Sequence, residues 1–359
     1  MRVGVVGGGL AGLVAAHDLA VGGAEVILLE AGSELGGQIR TRRSAGFVVE
    51  DGAEGWVAAD VDVPALCRSL GLGEQLVQQL ERRSLLFSKG SLSEIRPGGA
   101  ASLLGIQASD SDLGRGISSL RTGMGTLTDS LGLSLLKRDE IRLECRVTSI
   151  ERGPHTWRLS DSRGRHTEVE ALIVAAPTPT LAALVEPHSR DAAQALRRIE
   201  LASNVSVSVG YARAAVRHPL DASGIVVDPG ESHEGLRACA FSSSKLPGRS
   251  PAGQVLLRAF FRPTALGFAE DDDAWRDRAV RLLGPVLGLA GQPMGAWVAR
   301  WPSALPQYTQ AHSESVEEAA LRLRDLGPIE LAGTSYHPGG IPGAVRSGHD
   351  AAQRLLGIV

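Results

Sequence analysis

Apolar and polar positions switch between two periods along the chain, and each switch marks an element. Val3 to Val6 and Val26 to Leu29 are short unbroken apolar runs, which read as strands buried on both faces. Between them, Leu10 to Val21 has the length and spacing of a helix. Val63, Leu66, Leu70, Leu76 and Leu80 recur at near-helical spacing around Gly71 and Gly73, which predicts two short helices within 61–80. Arg83 to Leu104 predicts a hairpin and a loop, and polar Ser109 to Arg115 a turn. Arg121 to Leu135 predicts a glycine-punctuated start followed by a helix. Ile141, Leu143, Cys145 and Val147 alternate with polar residues as in one half-buried strand. Trp157 to Leu159 and Thr167 to Val169 continue as a meander, and Ala171 to Pro179 reads as a buried strand stopped by a proline turn. Asn204 to Ala212 alternates cleanly, and Ala238 to Phe261 predicts two strands around a proline-rich connection, ahead of a helix near Trp275 to Leu289. Ile329 to Gly333 predicts a short strand. A helix follows from about Ala344 to Leu356, with Ala351, Ala352, Leu355 and Leu356 on its apolar face. The fold class expected is α/β, with a smaller α+β unit built on a second sheet.

The first two strands and their helix form one βαβ unit, and its turn carries chemistry. Gly7, Gly9 and Gly12 stand at G-x-G-x-x-G spacing. The first permits a tight turn, the second lets main chain approach a pyrophosphate, and the third lets helix and strand pack closely. Leu10 and Ala11 place bare amides at the helix N-terminus, facing the phosphates. Glu30 ends the second strand where an acid holds a ribose 2′-hydroxyl, which favours NAD or the ADP half of FAD and disfavours a 2′-phosphate. The acid alone does not separate NAD from FAD.

Composition narrows the class. The 359 residues are enough for two domains with cores of their own. A net charge of −3 supplies no basic excess for nucleic acid. Cys67, Cys145 and Cys239 are too far apart for a metal or disulfide framework and read as reduced, buried residues. The most apolar window, Ala171 to Val185, is broken by Pro177 and Pro179 and is too short to span a bilayer. With the first strand following Met1 directly, the expectation is a soluble cytoplasmic protein.

After Glu30 the chain reads A-G-S-E-L-G-G-Q-I-R-T, Ala31 to Thr41, and then G-F-V-V-E-D-G-A-E-G-W, Gly46 to Trp56. These residues resemble the flavin-containing amine oxidase superfamily. The stretches R-T-G-M-G-T-L, F-S-S-S-K-L-P-G-R-S-P-A-G with L-L-R-A-F-F, A-R-W-P-S-A-L-P-Q-Y and A-G-T-S-Y-H-P-G-G-I-P-G-A-V-R-S-G-H-D-A-A resemble its protoporphyrinogen and coproporphyrinogen oxidase branch, in that family's order. The resemblance implies a glutathione-reductase-like fold and non-covalent FAD. It implies an FAD-binding domain from 1–65, 121–185 and 315–359, and a substrate domain from 66–120 and 186–314. It implies that Glu30 and Ala31 meet the adenosine ribose, and that Gly36, Gly37, Gln38, Arg40 and Thr41 run along the pyrophosphate and flavin. Gly55, Trp56 and Trp301 would lie near the ring, Val147 near the adenine, and Ala176 with Pro177 beside the dinucleotide. Gly333, Gly340, Ile341, Pro342 and Val345 would meet the isoalloxazine. An arginine fork suits phosphate oxygens; the competing reading of Arg40 is a solvated charge, since Arg42 and Arg43 adjoin it.

The family carries a longer helical insertion where this chain has only about Leu85 to Leu120, so its lid and membrane-facing surface are expected to be absent. The activity implied is removal of hydride equivalents from a cyclic or amine-like substrate, with oxygen reoxidising the flavin to give hydrogen peroxide. No acid–base group stands out beyond His337, the best-placed candidate base. Lys245 and Arg249 are either carboxylate-binding or solvated, and Trp56 and Trp301 either wall a pocket or fill the core. The alternatives are a specialised flavin dehydrogenase for a non-porphyrin substrate, a degenerate FAD-binding module, and a nicotinamide dehydrogenase. Partners are expected to be a small molecule and a second copy or another protein that completes the site.

Overall fold

The computed structural model describes residues 1–96, 98–104, 112, 114–136, 139–231, 233–264 and 267–357. A five-stranded parallel sheet runs in the order Glu140–Arg142, Glu25–Leu29, Arg2–Val6, Ala171–Val174, Ile329–Leu331. The order brings the first strand and the last into one sheet. One face carries the helices Leu10–Val21, Gly125–Leu135 and Gly340–Leu356 around Val3, Val5 and Leu28. The other is covered by the antiparallel sheet Val147–Arg152, Trp157–Asp161, His166–Val169 and by the helices Thr178–Val185, Arg190–Arg197 and Gln310–Arg324. Burial on both faces explains why these strands are unbroken apolar runs.

A seven-stranded sheet runs Gly295–Pro306, Leu201–Ala212, Gln254–Phe261, Leu236–Ala240, Gly224–Val227, Ser84–Ser88, Ser91–Ile95. Val205, Val207, Val209 and Phe261 pack on the helix Asp272–Leu287. Ser206, Ser208 and Arg258 alternate to the opposite face, which turns toward the segment at Asp51. The hairpin Thr41–Ser44 with Phe47–Glu50 turns through Ala45 and Gly46, both at positive φ, as a tight two-residue turn requires.

Two sequence expectations change. Within 61–80 only Asp62–Ser69 is an α-helix. A 3-10 turn at Gly73–Gln75 and a strand at Leu76–Gln78 replace the second, because that strand pairs with Ile117–Leu120. The alternating run from Ile141 is two strands in two sheets, broken at Glu144, whose φ is 50°. Gly125–Leu135 and the hairpin at Ser84–Ile95 stand as expected, and the final helix begins earlier, at Gly340. Most of the turn expected at Ser109 to Arg115 lies outside the described residues.

Candidate functional site

The glycine turn is built by close backbone contacts. Gly7 has φ 109°, and a Cβ there would lie 2.6 Å from the carbonyl oxygen of Ala175. A Cβ on Gly12 would lie 2.0 Å from the oxygen of Gly7. Gly9 differs: its φ of −70° is open to any residue, and a Cβ would meet only the Cα of Gly37, at 3.9 Å. The space over Gly9 is therefore a cradle that a side chain would fill. The Gly36 amide donates to the Gly8 carbonyl at 2.8 Å, so the second glycine pair lies over the first. Leu10 and Ala11 are buried, and their amides belong to a first helical turn that has no acceptor within the helix.

Glu30 is oriented by main chain. Its Oε2 accepts from the Gly8 amide and its Oε1 from the Gly32 amide, each at 2.6 Å. The Cys145 amide donates to its carbonyl at 2.7 Å, which brings the strand beginning at Val147 alongside. Each carboxylate oxygen keeps a lone pair for a sugar hydroxyl. Ala31 is exposed beside it. Ala176 accepts a hydrogen bond from the Tyr336 hydroxyl at 2.9 Å, which ties the Ala176–Pro177 turn to the final segment.

Arg40 is exposed, with Cζ 5.9 Å from the ring centre of Trp301, and among the described residues it has no carboxylate partner. Arg42 pairs with Asp51 at 2.7 Å and Arg43 donates to the Thr122 carbonyl at 2.8 Å. Of the three, Arg40 is the one left for an anion. Gln38 donates to the carbonyl of Ala304 at 2.7 Å. Thr41 is structural through its side chain: its hydroxyl donates to Glu50 at 2.7 Å and accepts from the Gly125 amide at 2.8 Å. Glu50 also accepts from the Met124 amide. This explains the G-M-G motif, since a Cβ on Gly123 would strike Thr41 at 2.3 Å.

The closing segment meets the opening one. Gly348 lets the helix Gly340–Leu356 settle on the helix Leu10–Val21, where a Cβ would come within 2.5 Å of the Ala11 carbonyl. Ile341, Ala344 and Val345 share a core with Leu10 and Ala11. The Gly333 amide donates to buried Ser347 at 2.8 Å, locking the last strand to the last helix. Gly339 and Gly340 take φ of 118° and 60°, and nothing lies within 4 Å of where a Gly340 Cβ would be. Pro342 in the first turn has no amide to offer, so the donors at this helix end are Gly340 and Ile341.

His337 lies beside this turn, its amide donating to Gly333 at 3.0 Å. Burial pushes its imidazole pKa down, and Arg354 adds to the effect against Asp350 and Glu330. Asp350 and Arg354 stand ten and fourteen residues along the helix from Gly340, about 15 and 21 Å by helical rise. The ring therefore faces the flank of the helix.

Sequence reasoning missed a buried ionic network under Glu50 to Glu54. Arg249 donates to Ser119 at 2.7 Å and stands 3.4 Å from Glu50. Lys245 pairs with Glu54, so neither cation is solvated. Burial alone would raise the Glu54 pKa, but Lys245, Arg258 and Arg249 hold it below the ordinary range. Burial wins at Glu50, whose pKa is raised. The overlooked signals were an acid ending an apolar strand, Glu50, and an arginine inside one, Arg258. Gly55 packs against Ser118, where a Cβ would be 2.3 Å from its carbonyl. Trp56 is 2% exposed and fills the core, with no partner for its indole N–H among the described residues. Trp301 is half-buried and donates to the Asp51 carbonyl at 2.9 Å. All three cysteines are buried and free.

Known proteins resemble this chain along most of its length. Residues 5–70 match the NAD(P)-binding Rossmann-like domain, and residues 80–356 match the flavin containing amine oxidoreductase family. The coproporphyrinogen III oxidase of Propionibacterium freudenreichii subsp. freudenreichii is 30% identical over 66% of this chain and 44% of its own length. That of Mycobacterium tuberculosis is 26% identical over 98% of this chain and 96% of its own. That alignment runs over 451 positions against 359 residues, which leaves more than ninety positions of the relative without a counterpart here. A crystal structure from Exiguobacterium sp. 255-15, provisionally assigned as a protoporphyrinogen oxidase, superposes with a TM-score of 0.86 over 100% of this chain and 99% of its own, at 22% identity, which shows the shared fold. The open cradle at Gly9, the anchored acid at Glu30 and the bare helix end at Gly340 fit the two ends of FAD, and the chain belongs to the flavin-containing amine oxidoreductase family.

Proposed function

We propose that this flavin-dependent oxidoreductase withdraws hydride equivalents from a reduced cyclic tetrapyrrole, with oxygen as the final acceptor. The observation that carries the substrate reading is the match of nearly the whole chain to coproporphyrinogen III oxidases. Residues 1–65, 121–185 and 315–359 form the FAD-binding unit, and 66–120 with 186–314 the substrate unit. Gly9, Leu10, Ala11 and Arg40 hold the diphosphate, Glu30 the ribose, and the amides of Gly340 and Ile341 the pyrimidine edge of the ring. Bound FAD supplies the two-electron acceptor at N5. The protein orients the substrate over that atom and places the positive end of a helix where charge collects on reduction. His337, its pKa lowered by burial and its ring on the helix flank, is the candidate acceptor of the released proton by relay through water.

The same alignment favours a second reading. With more than ninety positions of the relative absent, the substrate side is less enclosed, and a non-porphyrin amine or a substrate presented by a second subunit fits the site as well. Among the described residues no helix is long and apolar enough to cross a membrane, and a cytoplasmic location follows the same reading. Anaerobic mixing of the flavin-loaded protein with coproporphyrinogen III, protoporphyrinogen IX and a panel of amines distinguishes them. Bleaching of the flavin by a porphyrinogen, with peroxide formed on admitting air, supports the first. Bleaching by amines alone overturns it. With His337→Asn, loss of the acidic limb of the kcat/KM profile supports the proton role, and an unchanged profile removes it.

A further inference from the structure

One arginine in the second sheet is aimed at main chain instead of at a carboxylate. Arg258, 3% exposed, donates through Nη2 to the carbonyl of Asp51 at 2.6 Å and through Nη1 to that of Gly52 at 2.8 Å. Its Cζ stands 4.7 Å from the ring centre of Phe260, and its Nε is buried without a partner among the described residues. The Asp51 carbonyl also receives Trp301 Nε1 at 2.9 Å and Ser206 Oγ at 3.3 Å. Three donors thus converge on an oxygen with two lone pairs. Burying a cation is unfavourable unless it is well bonded. Here the fork is spent on setting the direction of two successive peptide planes.

That direction has a consequence on the other side of the segment. In a trans peptide C=O and N–H point opposite ways. Pinning the carbonyls of Asp51 and Gly52 on the sheet side turns the amides of Gly52 and Ala53 away from the sheet, to the side of Gln38. There the Ala53 amide makes only a 3.4 Å contact with the carbonyl of Gln38, and Ala53 is exposed. Gly52 itself sits so close to Gln38 that a Cβ would lie 1.7 Å from that carbonyl, so the segment cannot pivot without breaking this contact. Lys245 on Glu54 and Arg249 near Glu50 hold the ends of the same stretch.

We propose that Arg258 is a positioning residue of the flavin site, fixing the peptide planes of Asp51 to Ala53 so that their amides face the electron-rich edge of the ring. The inference rests on the FAD reading above. Fixed donors favour the more negative, reduced ring over the oxidised one. Arg258→Met is therefore expected to bind FAD about tenfold more weakly. It is also expected to shift the reduced-to-oxidised preference about tenfold, a midpoint about 30 mV lower for a two-electron couple. Arg258→Lys keeps the charge but cannot fork across two carbonyls, and is expected to fall nearly as far; it carries the test if the methionine variant does not fold. The measurements are FAD titration of the apoprotein and dye-equilibrated anaerobic reduction of the loaded protein. A lower melting temperature with an unchanged midpoint in both variants makes Arg258 merely structural and overturns the proposal. A midpoint kept by Arg258→Lys and lost in Arg258→Met assigns the effect to charge and overturns it equally. If the unaltered protein takes up no FAD, the earlier reading fails instead.

Discussion

Gly9→Ala and Gly12→Ala, three residues apart, should fail in different ways. At Gly9 the backbone conformation suits alanine, and the new methyl meets nothing nearer than 3.9 Å. A compatible glycine-to-alanine change gains about 0.4–1 kcal/mol through the unfolded chain, while alanine is the poorer N-cap by a few tenths to about 1 kcal/mol. These offset, so the apoprotein should melt within about 2 °C of the parent. In the proposed site the methyl nevertheless occupies the approach of the diphosphate. Losing two charge-assisted amide contacts of about 1.5 kcal/mol each gives about 3 kcal/mol, or roughly two decades of FAD affinity. At Gly12 the methyl would stand 2.0 Å from a carbonyl oxygen, and the turn must move by about 1 Å, with an overpacking loss of about 3 kcal/mol felt with or without FAD. Thermal melts of both apoproteins and titration of each with FAD, followed by flavin fluorescence quenching, separate the cases. A Gly9→Ala protein that binds FAD within threefold of the parent would place the diphosphate elsewhere and refute the site.

Three further outcomes follow from the packing and the charges. Gly348→Val must push the helix Gly340–Leu356 off Ala11; a loss of about 3 kcal/mol in urea unfolding, with FAD retention lost alongside, is expected, and retention of both would separate the chain ends. Glu54→Gln leaves Lys245 unpaired with its side chain only 16% exposed, and about 3 kcal/mol should be lost near pH 7. Because the Glu54 pKa is lowered in the fold, that contribution exists above its unfolded value and disappears as the pH falls through the folded one, so the two proteins should converge in acid. His349 pairs with Asp18 between the first helix and the last, and that hydrogen bond raises its pKa. The sign is opposite: the stabilisation is complete below the unfolded value and is lost as the pH rises through the folded one. Urea midpoints of His349→Gln should thus lie furthest below the parent in the acid arm and approach it on the alkaline side; a gap that widens with pH would refute the pairing.

What was legible in the sequence was whatever repeats over a few residues. The βαβ unit, the glycine triplet and the closing glycine turn each lie within one window, where backbone sterics and apolar period decide the outcome. The second helix expected near Leu76 failed because the period of a three-residue strand cannot compete with pairing to Ile117–Leu120, forty residues away. The strand expected across Ile141 to Val147 failed because alternation does not say which sheet a residue joins. Glu144, at φ 50°, carries the chain from the parallel sheet to the antiparallel one.

The part of the site that stayed hidden is the part made of pairs remote in sequence. Lys245 and Arg249 read as substrate-binding or solvated charges because their partners, Glu54 and Glu50, lie about two hundred residues earlier. A buried cation without a partner is too unfavourable to persist, so an arginine inside L-L-R-A-F-F already demands acceptors. Sequence cannot say that they are the Asp51 and Gly52 carbonyls. The same reasoning divides the three arginines after Gly37: Arg42 and Arg43 are held by Asp51 and Thr122, while Arg40 keeps its fork beside Trp301. Neighbours of identical type thus diverge, two held by the fold and one left open, according to which acceptors the tertiary structure supplies.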